Sequence, residues 1–156
     1  MPTEAIFYNA MHRSVLDQML KDQNKGIALY VQPYNKQAIA KLRDEPPNSE
    51  SPVIIYFSTG DERATVSYKA EITGWWNKQE LDESLHHRID SEIKTGRFDY
   101  GIFGIEEGMI NLIRIRNLIK LHDCFPVSKL TKTKDGQPLS GNRISAGWSY
   151  VHKRKD

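Results

Sequence analysis

The side chains best suited to chemistry in this chain are aromatic and basic rather than nucleophilic. Trp75 and Trp76 close the alternating run ATVSYKAEITGWW, Trp148 and Tyr150 sit in GWSYV, and Tyr56 precedes Ser58 in YFSTGD. Tyrosine and tryptophan offer a flat apolar face and one hydrogen-bond donor, which suits stacking on a nucleobase. The hydroxyls of Ser58 and Ser145 and the amide of Asn142 are groups of the kind that reads a base edge. Arg114, Arg116, Lys132, Lys134 and Arg143 are the cations suited to the phosphates around such a base. Core packing is the competing reading for each aromatic residue, and a solvated strand face is the competing reading for Arg114 and Arg116. The paired tryptophans weigh against packing alone, because successive strand residues point to opposite faces and only one of the two can enter a given core.

Other chemistry finds no support. The chain has neither G-x-x-x-x-G-K-[ST] nor G-x-G-x-x-G, so no nucleotide-phosphate cradle is expected. One cysteine and scattered histidines do not supply the usual structural zinc spacings. His86 and His87 are neighbours on an expected helix, about 100° apart around its axis, which does not suit a shared metal ion. Ser58 lacks the G-x-S-x-G frame of a nucleophile elbow. Among Glu71, Asp82 and Glu106, spacing selects no acid–base pair. No catalytic residue, metal ligand or cofactor is therefore assigned.

The 156 residues fit one domain spanning 1–156. A hydrophobic content of 38% with 27% charged residues reads as soluble and globular. No apolar run approaches the roughly 20 residues of a membrane span, and the first residues lack the basic and apolar blocks of a signal peptide. Cys124 as the single cysteine fits a reducing cytoplasm and a small packed side chain. The net charge of +2 is unevenly placed: residues 120–156 carry eight lysines and arginines against three aspartates. A basic C-terminal third points to an anionic partner, nucleic acid foremost. The run Lys153-Arg154-Lys155-Asp156, taken alone, reads as a solubilising tail.

These residues need elements to position them. Glu4–Tyr8 reads as a strand and His12–Gln23 as a helix, with Val15, Leu16, Met19 and Leu20 on one face. Gly26–Val31 reads as a strand, Asn35–Leu42 as a short helix, and 43–52 as a polar, proline-rich loop. Val53–Phe57 and Ala64–Trp76 form a hairpin, with Val66, Tyr68, Ala70 and Ile72 on one face. Asn77 opens a capping box for a helix that Gly96 ends. Tyr100–Ile105 and Met109–Leu121 read as strands, with Ile113 and Ile115 facing in and a bulge at Asn117-Leu118. Residues 122–146 form a loop before a last strand, Gly147–Val151. The sum is an α+β domain with a small curved sheet or β-barrel flanked by helices.

Two segments, VIIYFSTGDERATVSYKAEITGWW and the basic loop running into GWSYV, resemble the PUA-like superfamily, which includes the EVE, YTH and ASCH domains. The resemblance implies a small β-barrel flanked by helices that binds RNA or DNA, in some branches holding a modified base in an aromatic cage. Tyr56, Ser58, Trp75 or Trp76, and Trp148 are the positions that would line such a pocket. The expectation is a binding module that breaks no bond. Two alternatives stand beside it: an ASCH-like RNA-cleaving enzyme using Tyr68, Lys69 or Arg143, and a protein-interaction or regulatory domain that binds no nucleic acid.

Overall fold

A computed structural model describes residues 4–11, 13–23, 28–32, 47–77, 111–140 and 147–154. In chain order the elements are β1 (Glu4–Met11), α1 (Arg13–Gln23), β2 (Ala28–Gln32), β3 (Val53–Thr59), β4 (Thr65–Asn77), β5 (Asn111–Pro126) and β6 (Gly147–His152). A single 3-10 turn, Val127–Lys129, follows β5. The strands form one sheet in the order β2-β5-β4-β3-β1-β6. Only β1 and β3 run parallel; every other pairing is antiparallel.

This corrects the expected α+β barrel. The described residues are mostly strand, with one α-helix, and the sheet is open because its outer strands β2 and β6 do not pair with each other. The physical reason is the central parallel pair. A parallel neighbour needs a crossover of a dozen or more residues, so β3 returns beside β1 instead of continuing a meander that could close. Asn77 is the last residue of β4. The helices expected at 35–42 and 78–96 and the strand at 100–105 lie outside the described residues.

The centre of the sheet is apolar on both faces, which explains why Val53–Phe57 is a continuous apolar run. Ile6, Ile55, Phe57, Tyr68, Ile72, Ile113 and Ile115 build one core with Leu16 and Met19 of α1. Helical spacing puts those two side chains on the face of α1 that meets the sheet, as expected. Ala5, Phe7, Ile54, Tyr56, Val66 and Val151 build a second core on the opposite face. That face is covered by Val127, Leu130 and Leu139.

Bulges decide which side chains reach which core. The register between β4 and β5 shifts between Lys69 and Glu71, at the expected position. Asn117 takes a left-handed backbone with φ 54°, which asparagine tolerates better than most residues. Its extra residue lets Leu118 join Ile113 and Ile115 in the core. The bulge is locked from both sides. Asn117 Nδ2 and Arg116 Nε both donate to Glu71 Oε1 at 2.8 Å, and Gln23 of α1 exchanges two 2.8 Å hydrogen bonds with the Leu118 backbone. A second shift, between Val66 and Tyr68, has no signal in the sequence pattern. It sends Val66 to the second core, away from Tyr68, and leaves Ser67 only 2% exposed with no hydrogen-bond partner for its Oγ.

Burial alone would raise the Glu71 carboxyl, but the bonds from Arg116 and Asn117 outweigh it and hold the group below the usual carboxylate range. A lowered folded value stabilises the fold above the ordinary carboxylate range, about 4.3, and that contribution fades as pH falls through the folded value. Glu71→Gln is therefore expected to lower the urea midpoint at neutral pH, with the gap to wild type closing as pH drops below about 4. A gap that stays constant across that range would contradict the role. On the helix side, Leu16→Ala should cost about 2–5 kcal/mol in urea unfolding, because Leu16 is fully buried.

Candidate nucleic-acid interface

Residues 130–139, expected as open loop, fold into a small hairpin. Leu139 N donates to Leu130 O, Lys132 N to Gln137 O, and Gly136 N to Lys132 O. Gly136 has φ 70°, which a side chain disfavours, and Asp135 Oδ1 accepts from the Gln137 amide at 3.0 Å to tighten the turn. The amide of Gln137, with Lys132, keeps the Asp135 carboxyl below its ordinary value. The two leucines at the hairpin base are each 1% exposed, so they anchor it to the second core.

One arm of this hairpin continues the sheet. Thr133 N donates to Tyr150 O, His152 N donates to Thr131 O, and Lys132 bridges Val151. The pairing brings cations from two parts of the sequence to one edge: Lys129, Lys132 and Lys134 on one side, Lys153 and Arg154 on the other. Lys129 and Lys134 are exposed, while Lys132, Lys153 and Arg154 are half-buried. Lys132 Nζ lies 3.3 Å from Asp135 Oδ2, a partly exposed pair that contributes little to stability.

Inward from this edge, over the second core, Phe125 of β5 and Tyr56 of β3 form an aromatic cluster with Arg154. The Arg154 guanidinium lies 3.8 Å above the centre of the Phe125 ring, within cation–π range. Phe125 meets Tyr56 edge-on, with ring centres 6.1 Å apart. The Tyr56 hydroxyl accepts a 3.2 Å hydrogen bond from the Arg154 backbone N–H. Neither Phe125 nor Arg154 stands out in the sequence; the first falls in the expected loop 122–146 and the second in the tail.

The described members of the expected pocket are not brought together. Tyr56 is 1% exposed in the second core, whereas Tyr150 packs against the first, on the other side of the sheet. Ser58 is fully buried and donates to Asn9 Oδ1 at 3.0 Å. Trp148 pairs through its backbone with Tyr8, Tyr8 with Phe57, and Phe57 with Tyr68; Trp75 lies seven residues further along β4. At about 3.3 Å per residue, the backbone at Trp75 and Trp76 is roughly 20 Å along the sheet from that at Trp148. Those backbone positions do not meet. Asn142, Arg143 and Ser145 lie outside the described residues.

Two of the expected phosphate ligands are engaged within the protein. Arg116 is paired with Glu71 and donates to Ser49 O at 2.9 Å, and Arg114 donates to the Thr73 side chain and carbonyl at 3.2 and 3.3 Å. Of the residues suited to RNA cleavage, Tyr68 is fully buried and donates to Asp17 Oδ1 at 3.2 Å. Burial, with Asp17 beside it, raises the Tyr68 phenol. Lys69 follows Tyr68 directly in a strand, so the pleat directs it to the other face. Among the described residues no group of three or more histidine, cysteine, aspartate or glutamate side chains is placed to hold a metal ion, and no helix is long and apolar enough to cross a membrane. Cys124 is exposed, not packed.

A further polar cluster lies where β1 and β3 end. Arg13, at the start of α1, reaches Asp61 Oδ2 at 3.1 Å and Thr59 Oγ1 at 3.4 Å. The Thr59 hydroxyl and then Arg13 hold the exposed Asp61 carboxyl below its usual value. These bonds tie the helix to the β3–β4 turn.

No family model, no curated protein and no solved structure matches this chain. Its functional reading rests on its own geometry.

Ser58→Ala, which leaves Asn9 without this donor, should lower stability by about 1–3 kcal/mol in urea unfolding. Oligonucleotide binding should not change, because the hydroxyl is sealed away from the surface.

Proposed function

We propose that this chain is a nucleic-acid-binding module that grips the phosphates of a single strand of RNA or DNA along the edge formed by residues 129–134 and 152–154. One observation carries the reading: the pairing of Thr131–Thr133 with Tyr150–His152 gathers lysines and arginine from two sequence segments onto one strip. Cations gathered in this way suit a run of phosphates, and the counterions they release drive the association. Arg114 and Arg116 have no part in this strip, because the sheet uses their guanidinium groups internally.

The reading is tested by fluorescence anisotropy of labelled single-stranded RNA and DNA over a series of salt concentrations. Wild-type affinity should fall steeply with salt. The double substitution Lys132→Ala and Lys134→Ala should flatten the slope of log K against log salt by about 0.7 for each phosphate left without its lysine, with similar weakening for all sequences. An unchanged slope overturns the assignment of these lysines. Absence of binding to any oligonucleotide at low salt overturns the function, and the basic edge is then a solubilising surface.

A further inference from the structure

We infer that Arg154, seated on Phe125, is a stacking platform for one base of the bound strand. The inference rests on the proposed phosphate edge and adds to it an interaction with the base itself. A guanidinium is planar, and bases stack on arginine planes as they do on aromatic rings. The Arg154 guanidinium carbon lies 3.8 Å above the centre of the Phe125 ring, and its main chain is pinned by the Tyr56 hydroxyl. A plane fixed in this way loses little freedom when a base settles on it.

The second observation is an unmet donor. Arg154 Nη1 is buried and has no hydrogen-bond partner. None of the ion pairs Arg13–Asp61, Arg116–Glu71 and Lys132–Asp135 involves Arg154. A buried charged donor without an acceptor is unusual and costly. A base carbonyl arriving at the stack supplies an acceptor once the guanidinium turns over the ring. The position fits as well. His152 pairs with Thr131, so the chain at Arg154 leaves the ladder at the same end as Lys129.

The test compares two probes of equal length on the full chain: labelled oligouridylate and the same backbone without bases. Arg154→Lys keeps the charge and the main-chain bond to Tyr56 but removes the plane. It should weaken oligouridylate binding about tenfold and the abasic strand far less, because the charge on the phosphate edge is kept. Phe125→Leu, which keeps apolar packing but removes the ring, should act the same way; equal unfolding midpoints establish that both variants remain folded. If Phe125→Leu does not fold, the Arg154→Lys comparison decides alone. The inference fails if Arg154→Lys binds oligouridylate as wild type does, or if it weakens both probes equally, in which case Arg154 acts only as a charge. Wild type that binds both probes with equal strength also overturns it, while leaving the phosphate edge standing. Wild type that binds neither probe sinks the phosphate edge and this inference together.

Discussion

The parallel pairing of β1 with β3 at the centre of the sheet is the constraint from which the rest follows. Two central strands with neighbours on both sides bury both of their faces, so the protein must cover the sheet twice. Helix α1 covers one side with Leu16 and Met19. No described helix covers the other, and a short hairpin with a leucine at each foot does so instead. The hairpin can sit there only by pairing with β6. That pairing sets Lys132 beside Val151 and brings Lys129 and Arg154 to one end of the same ladder. The candidate interface is thus a by-product of closing a core.

The same economy separates two kinds of arginine. Arg116 lies at a bulge and shares one oxygen of Glu71 with Asn117, so its charge stabilises the irregular register that brings Leu118 inward. Arg13 ties α1 to the β3–β4 turn through Asp61. Arg154 has an aromatic ring where the others have a carboxylate, and one of its donors has no partner. Charge alone does not distinguish these residues. Their surroundings do: a guanidinium paired with a carboxylate inside the fold is not free to take a phosphate, however basic the local sequence.

Local pattern carries far along single elements. Apolar spacing locates α1 and the face it buries, the tight turn locates the β3–β4 hairpin, and the paired polar residues between Ile115 and Leu118 locate the bulge at Asn117. Each of these features depends on neighbours within a few residues. Failure comes where a remote strand intervenes. Val66 alternates with Tyr68 in the sequence, yet a register shift against β5 sends the two to opposite cores. Tyr56 and Ser58 alternate like pocket residues, yet strands on both sides of β3 seal them.

Apolar spacing and turn residues by themselves determined where α1 and the β3–β4 hairpin form and where the chain slips at Asn117, and composition that the C-terminal third is basic. Only the tertiary structure decided that the sheet stays open, that Trp75 and Trp148 stand far apart along it, and that Arg154 rests on Phe125. The reason is physical. Alternation and helical spacing are properties of a segment and its solvent, while strand order is a choice among distant partners whose energies differ by the packing of both faces at once. Whether an aromatic ring or a cation remains open to a ligand depends on that choice, because the same side chain is core beside one neighbour and surface beside another.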